Sequence, residues 1–446
     1  MPATSKNINR IKAALLGSFE QVKPILKKLH PYDIAQILEE VSPESRSKII
    51  RLLPREIASE TLSEMEENAD AAKILADISP EVAANLVENL DPDDAADLLA
   101  ELPKGDLRKI MDLLPDEDER VIETLMNYAE DSAGGIMNPE IPSVSGEATK
   151  KQALRTVLNL GEDMEDIYVV YVVDGRNRLI GVASIPKLLR ADREAKMKEL
   201  VSDKLFYIHV DADQEEAARI MRQYNIPAIP VVDDDMELLG RITFDDVLEV
   251  LEEETTEDIL RIAGVSEDEG LRGTFLAAVK SRIPWLLVNL GTASLAAFVI
   301  SQFTRTLETN VLIAFFMPVV AGVAGNGATQ ALAVTIRRIA TGGVPEKGMI
   351  KIVLKEFAVG LVNGVLIGGL ASMIAMVFGG DPRLGMVVFF ALVGNLVIAG
   401  TMGSLVPLLL NRLNVDPATA SSILITAFTD ILGYILLFGL GTLVFL

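Results

Sequence analysis

The chain has 446 residues, half of them apolar but only 5% aromatic, and its mean hydropathy is positive although 24% of the side chains are charged. No single globular class supplies both features, and the charge is unevenly spread. From residue 283 onward there are eight basic and six acidic side chains, against 33 and 58 before it, so the front carries about −25 and the back about +2. A front that acidic argues against a nucleic-acid partner, because phosphate binding needs a basic surface. The back reads as membrane.

The absence of cysteine removes disulfide scaffolds, Cys-based zinc sites and thiol nucleophiles, and two histidines, His30 and His209, cannot build a multi-His metal centre. Any metal must therefore meet oxygen ligands, which suit hard cations such as magnesium, calcium or manganese. The stretch from Met1 to Gly17 holds three basic residues but no sustained apolar core, so no signal peptide is expected there.

In chain order, the first segment is an acidic helical-repeat domain over 1–130. Pro31, Pro43, Pro54, Pro80, Pro92, Pro103 and Pro115 each open an Ala/Leu/Ile-rich run, and Leu-Asp-Pro-Asp-Asp-Ala-Ala-Asp-Leu-Leu at 90–99 is the clearest copy. Proline is tolerated in a helix's first turn, and Ser42, Ser79 and Asp91 stand as expected N-caps. Such short helices cannot each bury a face alone, so they are expected to stack as an all-α superhelix.

The period then changes. Tyr168 to Val173, a turn at 174–177, and Leu179 to Ser184 read as a hairpin followed by a short helix. The pattern returns 59 residues on, where Val231-Val232-Asp233 matches Val172-Val173-Asp174 and Gly240 matches Gly181. This βαββα duplication, over 131–200 and 201–252, resembles a tandem pair of CBS domains, a regulatory module that often binds adenosine nucleotides. The resemblance implies a ribose held by the acid of a Gly-x-x-Thr-x-x-Asp run, which Gly240, Thr243 and Asp246 satisfy. The first copy has Ser184 and Lys187 at the last two places, so Thr243 and Asp246 are the expected nucleotide residues, with ATP as a candidate ligand.

A connecting helix is expected over 253–282. The run from Glu249 to Asp258 has six acids in ten residues. Glu249 with Glu253, and Glu253 with Glu257, repel at i and i+4 along one face unless something screens them. A solvated charged linker and a divalent-ion site both fit that pattern.

Five apolar stretches follow, each near the roughly 20 residues that a bilayer crossing needs: Ile283 to Thr304, Thr309 to Ile336, Phe357 to Gly380, Leu384 to Asn411 and Pro417 to Leu446. Lys280 and Arg282 precede the first. Arg337, Arg338, Lys347, Lys351 and Lys355 are assigned to the loop between the second and third, and Arg412 to that between the fourth and fifth. The positive-inside rule puts these in the cytosol, with the N-terminus cytoplasmic and Leu446 outside an inner cell membrane.

The second stretch reads Met317-Pro318-Val319-Val320-Ala321-Gly322-Val323-Ala324-Gly325-Asn326-Gly327-Ala328-Thr329-Gln330, and the fifth runs from Asp416-Pro417-Ala418 to Thr429-Asp430-Ile431-Leu432-Gly433. Behind an acidic helical repeat and a CBS pair, these motifs resemble the MgtE family of magnesium channels over nearly the whole chain. The resemblance implies a homodimer with a cation pore between the second and fifth helices of both subunits, lined by Gly325, Asn326, Gln330, Ser422 and Thr426. It places the pore carboxylate at Asp430 and implies no enzyme. It also implies an acidic magnesium sensor, for which Asp93, Asp97, Asp246, Glu249, Glu254, Glu257 and Asp258 are the candidate ligands. Ser422-Ile423 departs from the Gly-Pro or Asn-Pro pair of many members.

The residues reach Asp430 independently. A buried charge in hydrocarbon costs roughly 2.5 kcal/mol or more, so an acid there pairs, protonates or lines water. One reading is a protonated acid bonded to Thr426 or a serine. The other is a pore, because two carboxylates related by a twofold axis neutralise a dication. Glycines at Gly322 to Gly327 either loosen the helix to bring carbonyls to the pore or serve packing. Two other functions use the same acids: a secondary exchanger that alternates proton and metal on Asp430, and an intramembrane aspartyl protease using Asp416 and Asp430. Fourteen residues of helix, about 21 Å, are too far for a shared proton.

Overall fold

The computed structural model describes residues 23–65, 68–160, 167–265, 275–340, 348–413, 415, 417 and 421–446. They belong to two compact units, Met1–Leu251 and Glu252–Leu446.

The described residues of the first unit include the helices α1 (Lys23–Leu26), α2 (Pro31–Glu40), α3 (Pro43–Ile50), α4 (Arg55–Ser63), α5 (Asn68–Asp77), α6 (Pro80–Val87), α7 (Pro92–Ala100), α8 (Lys104–Met111) and α9 (Asp116–Leu125). Pro31, Pro43, Pro80 and Pro92 occupy first-turn positions, where a missing N–H costs no bond, and Pro54, Pro103 and Pro115 stand one residue earlier as caps. Each helix from α2 to α7 packs against its second neighbour, α2 on α4 through α7 on α9, which is the expected superhelical stack. The N-caps need a correction. Ser42, Ser79 and Asp91 have the extended cap backbone, but none makes the side-chain bond. The Ser42 hydroxyl is shared with that of Ser45, and Asp91 lies in the field of Arg241.

Two three-stranded sheets complete this unit. The first copy runs β1 (Ser143–Ser145), α10 (Lys150–Leu160), β2 (Val169–Val173), β3 (Leu179–Ser184) and α11 (Ile185–Arg190). The second runs β4 (Ile208–His209), α12 (Gln214–Tyr224), β5 (Ala228–Val232), β6 (Leu238–Thr243) and the start of α13 (Phe244–Ile262), a helix whose residues from Glu252 onward belong to the second unit. In each, the first strand is parallel to the second and the second antiparallel to the third. The repeat holds in detail: Val172 pairs with Gly181 as Val231 pairs with Gly240, and both ladders shift register at the next residue. The Asp174 carboxylate accepts from the backbone of Arg176 and Arg178, and Asp233 accepts likewise from Asp235 and Glu237. Asn177 and Met236, 59 apart, both have positive φ, and their turns bond each other through Leu179 N–H to Met236 O (2.9 Å) and Leu238 N–H to Asn177 O (3.0 Å).

The helical stack shares one core with the second copy, reaching from Ile34 and Leu98 to Ile229, Ile242 and Val247. The backbone joins them too, since Ala133 and Gly134 donate to Ala212 and Val210, and Asn138 and Arg241 exchange bonds of 2.8 and 2.9 Å. These ties bring α7 to the start of α13.

The second unit holds α14 (Phe275–Ser301), α15 (Thr304–Thr309), α16 (Leu312–Phe315), α17 (Met317–Ala340), α18 (Met349–Gly379), α19 (Pro382–Arg412) and α20 (Ser421–Phe445). Among the described residues five helical stretches, within α14, α16–α17, α18, α19 and α20, are long and apolar enough to cross a bilayer; these are the first to fifth spans. The chain is thus a multi-pass membrane protein. Lys351 and Lys355 lie inside α18 and not in a loop. At 31 residues, or about 46 Å by helical rise, that helix outruns a hydrocarbon layer of about 30 Å and carries its basic end beyond it. The second span breaks between α16 and α17 just before Pro318, whose nitrogen cannot donate. The third and fourth spans meet along a glycine seam. A Cβ on Gly364 would lie 2.8 Å from Val393 Cα, one on Gly368 3.1 Å from Phe389 O, and one on Gly360 would strike the Leu396 carbonyl.

Candidate functional site

Two groups of acids hold the chemistry, one in each unit. In the fifth span Asp430 is half-buried, one position after the fully buried Thr429. The Thr429 hydroxyl donates to the Thr426 carbonyl at 3.0 Å. Asp430 itself has no hydrogen-bond or ion-pair partner among the described residues. The alternative of an acid bonded to Thr426 is therefore not what the geometry offers. Ser422 side-chain geometry and Asp416 lie outside the described residues.

The second span separates its faces cleanly. Val320, Ala324, Ala328 and Leu332 are buried against the chain's own helices, while Gly322, Asn326, Thr329 and Gln330 are exposed and Gly325 is half-buried. A Cβ on Gly322 or Gly325 would meet nothing within 4 Å, whereas one on Gly327 would press Leu396. The glycines do not interrupt the helix, which is continuous from Met317 to Ala340. Its polar stripe points away from the fold of a single chain, as does the exposed Thr426 on the fifth span.

In the first unit, α7 and the β6–α13 junction bring carboxylates from distant sequence together. Asp93 is buried, and its Oδ1 has no hydrogen-bond partner. Burial, aided by the charges of Asp94, Asp246 and Asp91, pushes its carboxyl well above the usual range. Asp94 is pushed up to about 8 by burial and by Asp91, Glu249, Asp246 and Asp97. Asp246 is raised by burial, against the bonds that it receives from Thr243. The structure thus brings Asp93, Asp97, Asp246 and Glu249 within the field of Asp94. It adds Asp91, Asp94, Asp245 and the buried Arg241, which tempers the charge of Asp91 and Asp246. The signal for Asp94 was present in the Asp-Asp pair of the repeat; that for Arg241 was absent, because its nearness to α7 is tertiary. No three acid or imidazole groups among the described residues converge closely enough to hold a bare ion.

Glu254, Glu257 and Asp258 lie further along α13 and are half-buried. Glu257 forms an ion pair with Arg261 one turn on, which offsets the repulsion expected from Glu253.

The Asp246 carboxylate also closes the first turn of α13. Its Oδ2 accepts from both the backbone N–H and the hydroxyl of Thr243, each at 2.7 Å, and Oδ1 stands outside these two bonds. In the first copy Ser184 accepts from Lys187 N–H, and the Lys187 ammonium donates to the Val201 carbonyl at 2.6 Å. A cation there offers no ribose acceptor.

Comparison with known proteins agrees along the length of the chain. Residues 317–440 match the MgtE divalent cation transporter model, 29–131 the MgtE intracellular N domain, and 133–194 and 197–253 CBS domains. The magnesium transporter MgtE of Thermus thermophilus is 33% identical over 432 residues, 96% of each chain. That of Enterococcus faecalis is 36% identical over 95% of this chain and 93% of its own. Among solved structures, the cytosolic domain of the Mg2+ channel MgtE in complex with ATP has a TM-score of 0.51 at 36% identity, covering 54% of this chain and 97% of that one. The soluble part of a magnesium transporter gives 0.50 at 30%, covering 55% and 99%. With a helical acidic domain, a CBS pair and five apolar spans in this order, the chain belongs to the MgtE family of divalent cation transporters.

Proposed function

We propose that this protein is a homodimeric channel for magnesium uptake, with the pore at the dimer axis and Asp430 of each subunit supplying the charge that admits the ion. The observation that carries the reading is a carboxylate inside an apolar span with no protein partner among the described residues. Twofold symmetry turns one such group into two, enough to balance a dication. Gly325, Asn326, Gln330, Ser422 and Thr426 line the approach, and the exposure of the second span's polar stripe supports this. The basic ends of the spans orient the first unit to the cytosol and Leu446 to the outside.

Cytosolic magnesium closes the channel. The unpartnered Asp93 oxygen and the raised carboxyls around it describe a docking surface that repels itself until a cation arrives. Hydrated magnesium between α7 and the start of α13, and along Glu254, Glu257 and Asp258, favours the compact state by its differential affinity. Ile262, at the end of α13, packs against the apolar cluster that contains Ala324, Ala328 and Ile336 of the second span, Ala399 of the fourth and Ile425 of the fifth, and this supports a mechanical route to closure. ATP or a related adenosine nucleotide binds the second CBS copy through Thr243 and Asp246; the ATP complex of the similar cytosolic domain supports this. Magnesium flux into liposomes by wild type and Asp430→Asn tests the pore, and wild-type flux through a folded Asn variant would refute it.

A further inference from the structure

The fourth span contains one fully buried amide, Asn395, whose role the pore reading does not explain. Its Nδ2 donates to the Val320 carbonyl of the second span at 3.1 Å, while its Oδ1 is buried without a partner. The amide lies flat on Gly433 of the fifth span, where an added Cβ would sit 2.9 Å from Cγ and 3.2 Å from Oδ1 and would collide with the nitrogen. Its neighbours make the same turn a hub. Val393 meets Gly364, Gly394 meets Leu436, and Leu396 meets Gly327 and Gly360, so four consecutive residues touch the second, third and fifth spans.

The contacts of Val393, Gly394 and Leu396 in this hub are apolar or backbone packing, which tolerates sliding and rotation between helices. The amide bond does not, because it has a direction and a single acceptor. Burying Oδ1 unpaired costs free energy that an apolar residue of the same volume would avoid. Val320 lies two residues before Gly322 on the pore-facing helix, and Gly433 lies three after Asp430, so Asn395 touches both pore elements from behind.

We propose that Asn395 is the positioning residue of the pore: by tying the second span to the face of the fifth span that carries Asp430, it fixes the spacing between that carboxylate and the polar stripe of the second span that favours magnesium over calcium. The inference rests on the pore reading. Magnesium demands near-ideal octahedral order, in its ligands or in its retained water, whereas calcium accepts six to eight oxygens in loose geometry. Loosening the spacing therefore harms discrimination before it harms passage.

The test uses the full chain in proteoliposomes, with magnesium and calcium flux measured in parallel. Asn395→Ala combined with Gly433→Ala refills the vacated space with a methyl but restores no hydrogen bond, and Asn395→Leu keeps the volume without a donor. Each folded variant should lower the magnesium-to-calcium flux ratio by about tenfold, the scale of one interhelical hydrogen bond in a membrane, while maximal magnesium flux stays within about twofold. Gly433→Ala alone, which drives a methyl into the amide, should lower the ratio similarly. A wild-type ratio in either folded variant of Asn395 would reduce the amide to packing and overturn the assignment. Asp430→Asn in the same assay separates the two ideas, because undiminished flux there overturns the pore reading itself.

Discussion

At the scale of single residues, the two acids that matter most behave differently because their surroundings differ. Asp430 was legible in the sequence as a lone carboxylate in an apolar stretch, and the structure leaves it without a partner among the described residues. Asp430→Asn keeps shape and removes charge, so we predict a folded membrane protein whose magnesium flux falls to that of empty liposomes; a retained flux would return the residue to a structural role. Asp246 entered both candidate sites through the family resemblance, by the Gly240-x-x-Thr243-x-x-Asp246 run for the nucleotide and among the sensor acids for magnesium, but its nearness to the α7 carboxylates arises only on folding. Asp246→Ala should weaken adenosine-nucleotide binding about tenfold or more, the usual cost of losing a charged hydrogen-bond acceptor. Calorimetry on the full chain in detergent checks this, and unchanged heats would remove Asp246 from the nucleotide site. Asn395 escaped the sequence reading because a single amide among apolar residues gives no spacing to read.

At the scale of elements, periodicity served well where local chemistry decides and failed where packing does. Proline-paced helices and the 59-residue duplication were visible because proline and turn chemistry is local; the matched positive φ of Asn177 and Met236 came only with the structure. The glycine seam was not, because small residues also fill the second span, where Gly322 and Gly325 touch nothing. Gly360→Ala and Gly364→Ala should each cost about 1–3 kcal/mol as methyls meet the backbone of the fourth span. Gly369→Ala, with open space around it, should be neutral or stabilising by up to about 1 kcal/mol. Thermal unfolding in detergent distinguishes them, and equal effects at all three would deny the seam. The meeting of α7 with α13 makes a pH prediction. With carboxyls raised in the docked state, that state binds more protons than the open one between the ordinary carboxylate range and about pH 8. Docking without divalent ions should therefore weaken as pH rises from 5 to 8, by roughly 1.4 kcal/mol per unit for each proton released. Hydrogen exchange in α7 should quicken along that rise and lose its slope in magnesium; a slope of opposite sign would contradict the crowding of these acids.

At the scale of the whole molecule, composition alone divided an acidic front from an apolar back, and the family comparison joins them as one transporter. The order of domains was readable because each has its own signature. The surfaces between them were not, since the acids of α7 and those of α13 lie some 150 residues apart and are related only by the fold. If the front is a magnesium sensor, replacing Asp93, Asp97, Asp246, Glu249, Glu254, Glu257 and Asp258 with amides should leave conduction intact and abolish its inhibition by cytosolic magnesium. The most direct measurement is single-channel recording of the purified full-length protein in a planar bilayer, with magnesium raised on the side that bears the acidic domain. The account predicts unitary magnesium currents far above carrier turnover that close as that magnesium rises in wild type and persist in the amide variant. Transport only at carrier rates, or closure that survives the amide substitutions unchanged, would contradict it.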